Sequence, residues 1–427
     1  MNFTFSKRAR TLSTAMVVVG LVALLIGFFA AKGDPHSAEG LGQRTWSNLL
    51  VNGFFFFGIS LGALFFFALA YATETAWTVL VKRVFEGIYG YLPVGAIVMV
   101  IVLAAGSLHL HHIYHWMDHS LYHEYMIGEG HDAQYVDEAV QGAVANPNYD
   151  ALIANKKAFL NQPFFWLRTI AYLVTFILFA RWFRKQSLQM DHLSGESLVK
   201  RHLLNHRRGA LFLVFFAVFS STLAWDWIMS IDTHWFSTLF GWYTFAGMWV
   251  SAMITAVILV LYLKRKGYLP QVNNSHIQDL GKWVFAISFL WSYLYFSQFM
   301  LIWYSNIPEE VTYFQQRINE HPFLLWGVFF TNFAIPMVLL MSRDAKRNPR
   351  FLIGVGSVIF IGHWLDVNMM VMPGALGHHF HGIGLLEVGM FLAFLGLFIH
   401  VVLRTLTKAP LTPVNHPYME ESIHHQI

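Results

Sequence analysis

Ten stretches of this chain are apolar and long enough to cross a lipid bilayer, and that limits every fold it can adopt. A spanning α-helix needs about 20 mostly apolar residues to cover a hydrocarbon core of about 30 Å. The stretches run over Thr11–Ala31, Ser47–Tyr71, Tyr91–His112, Pro163–Trp182, Gly209–Ser230, Ser237–Leu263, Lys282–Tyr304, Pro322–Ser342, Phe351–Met372 and Gly382–Leu403. Backbone groups in hydrocarbon must bond within their own segment, so the expected fold class is all-α, a polytopic membrane protein. Composition agrees. Of 427 residues, 56% are hydrophobic and only 12% charged, against about 25% charged in a soluble domain. The mean hydropathy is +0.48. Cysteine is absent, which excludes disulfides, thiolate metal sites and Cys-ligated clusters. The formal charge of +4 does not point to nucleic acid, because the Lys and Arg lie between apolar runs rather than in one block.

The first stretch follows Lys7, Arg8 and Arg10, as a secretion signal would. Its apolar run is long for that role and no clean cleavage site follows, so it reads as a retained helix. Orientation follows from loop charge. With the N-terminus inside, 22 of the 28 Lys and Arg fall on the inner side and 6 on the outer. Both termini are then cytoplasmic, which an even number of helices requires. The stretch Gln186–Arg208 reads as a basic inner linker. The longest loop, Ile113–Gln162, falls outside and reads as a small cap. An amphipathic helix is expected there, because Val136, Ala139, Val140 and Ala143 recur at helical spacing. The aromatic runs Phe54–Phe57 and Phe65–Phe67 read as lipid-facing. Trp225-Asp226 and Trp364-Leu365-Asp366 hint at an internal repeat.

Ionisable groups at membrane depth cost about 2.5–3.5 kcal/mol each on insertion scales, so each needs a partner or a purpose. Helix 3 ends in a His cluster at 109–115. Helix 4 opens near Arg168, helix 5 carries Asp226 toward its end, helix 9 carries His363 and Asp366 past its middle, and helix 10 carries Glu387 near its start. All fall in the outer half of the membrane, which suggests one or two polar sites there. His109 and His112 share a face by the i,i+3 rule and would point into the bundle. Asp226 lies deep in apolar sequence between Trp225 and Trp227 and is the first candidate for a proton acceptor. His109, His112 and Arg168 would line the same bundle. His363, Asp366 and Glu387 would form a second polar set, a candidate proton path. Each has a plainer reading: an interfacial helix end for the histidines, a snorkelling Arg168, a self-satisfied His363–Asp366 pair.

No metal site is expected. A bis-His haem needs facing histidines at depth, and His363 stands alone on its helix, whereas His378, His379 and His381 follow Pro373 and Gly374 outside. The His111-His112 and His378–His381 groups resemble di-iron boxes superficially, but those boxes lie on the cytoplasmic side.

Three long segments carry a resemblance to a known family. Ser297–Glu310, reading SQFMLIWYSNIPEE, is similar to the helix-7 signature of a ten-helix subunit of alternative complex III. Trp225–Thr238 resembles its helix 5–6 segment, and Pro417–His425 resembles its C-terminus. The family belongs with the polysulfide-reductase-type membrane anchors. The resemblance covers nearly the whole chain and is to the second of two related ten-helix subunits. It implies two four-helix bundles, helices 2–5 and 6–9, flanked by helices 1 and 10. The corresponding divisions are 1–46, 47–230 with its cap at 113–162, 231–372 and 373–427. It implies a bacterial inner-membrane complex that oxidises quinol and reduces a cytochrome c or an oxidase. Partners would be the sister ten-helix subunit, haem c and iron–sulfur subunits on the outer side, a terminal oxidase and lipids. This chain would hold no redox metal, and its one candidate cofactor is menaquinone or ubiquinone. A purely structural anchor is the alternative. A secondary transporter is disfavoured, because Gly and Pro do not interrupt helix centres in pairs.

Overall fold

The structure is a computed structural model and describes residues 3–30, 35–128, 134–137 and 142–426. Ten helices in it are long and apolar enough to cross a membrane: span 1 (Lys7–Ile26), span 2 (Gly42–Ala72), span 3 (Lys82–Ser107), span 4 (Gln162–Met190), span 5 (Gly195–Ile231), span 6 (Leu239–Arg265), span 7 (Asn274–Ser305), span 8 (Pro322–Leu339), span 9 (Pro349–His379) and span 10 (Leu385–Leu406). The chain is a multi-pass membrane protein. Local sequence sets several starts. Asn161, Asn273 and Asn348 each accept backbone N–H bonds at the first turns of spans 4, 7 and 9, and Pro163 and Pro349 occupy first-turn positions that need no donor.

Spans 2 to 5 close one ring of neighbours, with span 2 against spans 3 and 5 and span 4 against spans 3 and 5. Spans 6 to 9 close a second ring in the same order. Spans 2, 6 and 9 pack together where the rings meet, and spans 1 and 10 pair on the flank. Glycine permits the closest approaches. A Cβ at Gly62 would lie 2.6 Å from the Met248 carbonyl oxygen, and one at Gly389 would lie 2.2 Å from Ala23 Cβ, the small-residue packing that membrane helices favour. Span 2 is therefore enclosed by spans 3, 5, 6, 9 and 10. This overturns the lipid-facing reading of its aromatics: Phe54–Phe57, Phe66 and Phe67 are all buried. The lipid-facing residues lie instead on peripheral spans, for example Leu25, Leu167, Phe296 and Val338.

Several boundaries differ from expectation. Span 3 begins at Lys82 and ends at Ser107, so Lys82 and Arg83 are buried in the span rather than in a loop. The expected linker Gln186–Arg208 is almost all helix, because spans 4 and 5 both extend through it and leave a turn at Asp191–Ser194. The cap does not form the expected helix at Val136. Gln134–Val136 is a strand, β2, paired antiparallel with β1 (Tyr125–Ile127), which also pairs with β3 (Val144–Ala145). Tyr, Ile and Val suit strands, and Gly142 at φ 86° ends any helical path there. Ala139 and Val140 lie outside the described residues. A helix not expected from hydropathy, Pro308–Glu320, lies between spans 7 and 8 on the face that carries the cap. We call that face the cap face and its opposite the basic face.

Candidate functional site

Asp226 lies one turn from the cap-face end of span 5 and is fully buried. Arg168 of span 4 grips it with two parallel bonds, Nε to Oδ2 at 2.8 Å and Nη2 to Oδ1 at 2.7 Å. The Tyr172 hydroxyl, one turn further along span 4, donates to Oδ2 at 2.7 Å. The guanidinium also bonds the Phe159 carbonyl and lies 3.9 and 4.2 Å from the Phe159 and Phe164 ring centres. Trp227 is locked on the other side by its indole bond to Thr169 and by the Tyr114 hydroxyl on its carbonyl. Both carboxylate oxygens are therefore committed. Charge-assisted bidentate Arg–carboxylate bonds are roughly twice as strong as neutral hydrogen bonds.

His109 and His112 do not join this site. The helix ends at Ser107, His109 takes a left-handed backbone (φ 56°), and both imidazoles are exposed. The two side chains do not share a helix face, because the helix does not continue past Ser107. The two histidines instead line a surface cleft of about 300 Å³ with His111, His115 and Asp118. His111 turns inward, its Nε2 2.9 Å from the Val102 carbonyl oxygen, and burial pushes its imidazole below the ordinary value. Among the described residues, no three His, Asp or Glu side chains converge as a metal site.

Glu387 also departs from its expected company. It pairs with Arg44 (2.8 Å to Oε1, 3.0 Å to Oε2), accepts from Asn48 at 3.0 Å, and caps its own helix through the Gly384 N–H at 2.8 Å. These contacts pin span 10 to span 2 at the cap face, away from His363 and Asp366.

His363 and Asp366 do come together, near the middle of span 9. The Tyr243 hydroxyl and the Trp291 indole N–H (3.0 Å) donate to Asp366, one to each oxygen. His363 Nδ1 lies 3.9 Å from Asp366 Oδ2, beyond hydrogen-bond range. Neither ring nitrogen of His363 has a partner among the described residues. Asp226 and Asp366, on spans 5 and 9, thus differ in kind: Asp226 is neutralised by a cation, whereas Asp366 is held by neutral donors.

Two polar clusters escaped the sequence reading. On the basic face, Glu86 is fully buried and bonds Arg184 and Ser187 of span 4, while Arg83 bonds Asp191 at 2.6 Å and Lys82 bonds the Tyr71 hydroxyl at 3.2 Å. The Lys82-Arg83-x-x-Glu86 spacing was the available signal, masked because hydropathy placed the span start later. On the cap face, Arg317 is buried beneath the Pro308–Glu320 helix. Pro373 has no N–H, so the Met369 carbonyl lacks its helical donor. Arg317 Nε supplies one at 3.1 Å, and Nη2 reaches Asp232 at 3.0 Å. Asp232 opens onto a cleft of about 630 Å³ between the cap, the span 5–6 connection and the Pro308–Glu320 helix.

Comparison of the sequence with protein-family models and with curated proteins finds no match.

Proposed function

We propose that this chain is a membrane subunit of a quinol-oxidising respiratory complex of the alternative complex III kind, in which its second bundle carries protons and its first bundle anchors. The observation that carries this reading is His363, a buried imidazole whose nitrogens have no hydrogen-bond partner among the described residues, beside a carboxylate that accepts from the neutral donors Tyr243 and Trp291. An intramembrane ionisable group with no structural partner is a functional candidate by default. The sequence segments Ser297–Glu310, Trp225–Thr238 and Pro417–His425 support the family assignment. The loop-charge bias supports an orientation with the cap face outside and both termini cytoplasmic, and the family resemblance points to a bacterial inner membrane.

The surroundings of Asp226 do not fit a quinol headgroup. Its two oxygens are taken by Arg168 and Tyr172, and Trp227 is packed and bonded against it. A base that must first shed a bidentate guanidinium is poorly placed to accept a proton, so quinol oxidation is assigned to the sister ten-helix subunit, with haem c and iron–sulfur partners as electron carriers. The committed Asp226 favours the anchor role for bundle one.

Two substitutions test the division. Asp366→Asn in the assembled complex lowers proton release per quinol oxidised; unchanged release overturns the proton-carrying role. Asp226→Asn reduces the amount of assembled complex while the survivors turn over normally. Full assembly with severely reduced quinol oxidation would instead place the quinol chemistry at Asp226.

A further inference from the structure

His363 faces a small, largely buried cavity between spans 2, 6 and 9. Its walls are two matching helix faces. Thr244, Gly247, Met248 and Ser251 come from span 6, and His363, Asp366, Val367 and Met370 from span 9, each at i, i+3, i+4, i+7 spacing. Phe54 and Phe55 of span 2 close it. Its volume is about 20 Å³, which exceeds the roughly 10–15 Å³ that one water requires.

The polar groups on these walls lack protein partners. Both His363 nitrogens, the Thr244 hydroxyl and the Ser251 hydroxyl are buried without a hydrogen bond among the described residues. That is unusual for hydroxyls in helices, which commonly bond back to the carbonyl four residues earlier. Ser60, Thr255 and Ser292 do so in this protein; Thr244 and Ser251 do not. Gly247 contributes to the same gap. A Cβ there would lie 3.6 Å from His363 Nδ1 and 3.7 Å from the Trp291 ring, so a side chain would fit, yet the backbone leaves Nδ1 facing open space. Leaving a buried polar group unpaired costs about 1–3 kcal/mol, and here several such groups line one water-sized space.

We propose that this cavity is an internal water site, with His363, Thr244 and Ser251 as its hydrogen-bonding walls. One water there also spans the 3.9 Å between His363 Nδ1 and Asp366 Oδ2, a separation that direct bonding cannot bridge. It gives His363 a mobile partner for proton exchange. The inference rests on the proton-carrying reading for its purpose, but the site itself stands on the geometry.

Hydroxyl-radical footprinting by X-ray radiolysis tests it, with the full chain in lipid nanodiscs. Radicals born from internal water oxidise adjacent side chains that bulk radicals cannot reach. Met248 and Met370 line the cavity and are buried, as is Met99, which lies elsewhere. Met370 or Met248 is expected to oxidise several-fold faster than Met99. Gly247→Ala puts a methyl group into the space without a clash and favours the helix; it is expected to bring both rates down to that of Met99. Rates equal to Met99 in the unsubstituted protein overturn the site, as do fast rates that persist unchanged in Gly247→Ala. Fast oxidation abolished by Gly247→Ala, with proton release unaltered, keeps the water site and removes the proton-carrying reading.

Discussion

Arg168 and Asp226 cost and stabilise in ways that substitution separates. Removing one member of a buried ion pair strands the other charge and costs about 3–5 kcal/mol, whereas replacing both with apolar groups is often neutral. Arg168→Leu should therefore destabilise the first bundle severely, and the double substitution Arg168→Leu with Asp226→Leu should recover most of the loss. Reversible unfolding in mixed micelles measures both. A double variant as unstable as the single one would show that the guanidinium matters for its stacking on Phe159 and Phe164 rather than for the charge. At this scale the sequence exposed the residue types but not their pairings. Asp226 and Arg168 each stood out as intramembrane charges, yet 58 positions separate them. Glu387 stood out too, while its partner Arg44 was counted as a loop charge.

The C-terminal tail is an element whose role depends on its histidines. It runs back over the basic face and ties both bundles. Asn415 donates to the Asp191 and Leu193 carbonyls (3.0 Å each), Ser422 to the Trp77 carbonyl (3.1 Å), and Asn273 of the span 6–7 connection to the His425 carbonyl (2.6 Å). His416 is buried against Tyr71, His202 and Tyr418, with Lys82 close by. Burial pushes its imidazole well below the ordinary value, and Lys82 and His202 add to the shift. An undocked tail titrates near the ordinary His value of about 6.5. The docked tail therefore binds fewer protons. Docking is at full strength above that pH and weakens as pH falls below it, by up to about 1.4 kcal/mol per unit. His425 Nε2 lies 2.6 Å from Asp279 Oδ2 and adds a further tie to span 7. Hydrogen-exchange protection across residues 407–426, after division by the intrinsic amide rate at each pH, should fall between pH 7 and pH 5, and His416→Phe should remove most of that dependence. An equal loss of protection in the variant would assign the effect to another group. The cap shows the opposite limit of legibility. Its spacing fits a helix, but strand pairing across 125–145 is a non-local contact that a local period cannot report.

For the whole molecule, the testable quantity is orientation. The protein has no cysteine, so single introduced thiols report without background. Ser197 on the basic face and Lys157 in the cap are both exposed. In sealed right-side-out vesicles a membrane-impermeant maleimide should label Lys157→Cys and spare Ser197→Cys. The reverse pattern would invert the orientation argued from loop charge. Three of the charges behind that orientation lie in the folded interior. Lys82, Arg83 and Arg317, counted as loop charges, are buried and bonded, so they act as fasteners as well as topological markers.

The sequence by itself determined the ten spans and the all-α class, because length and hydropathy are summed locally and the bilayer admits few alternatives. It also singled out Asp226, His363, Asp366 and Glu387 as ionisable residues inside apolar helices, but not the buried Lys82, Arg83, Glu86 and Arg317. Tertiary structure alone decided which of them meet. Asp226 found a cation and Asp366 found neutral donors because different helices face them, while the His363 nitrogens, across from Gly247, have no hydrogen-bond partner among the described residues. It decided as well that the aromatics of span 2 are core, since a membrane helix shows hydrocarbon-compatible residues to lipid and to protein alike. Hydrophobicity marks depth in a membrane protein; only packing distinguishes inside from outside.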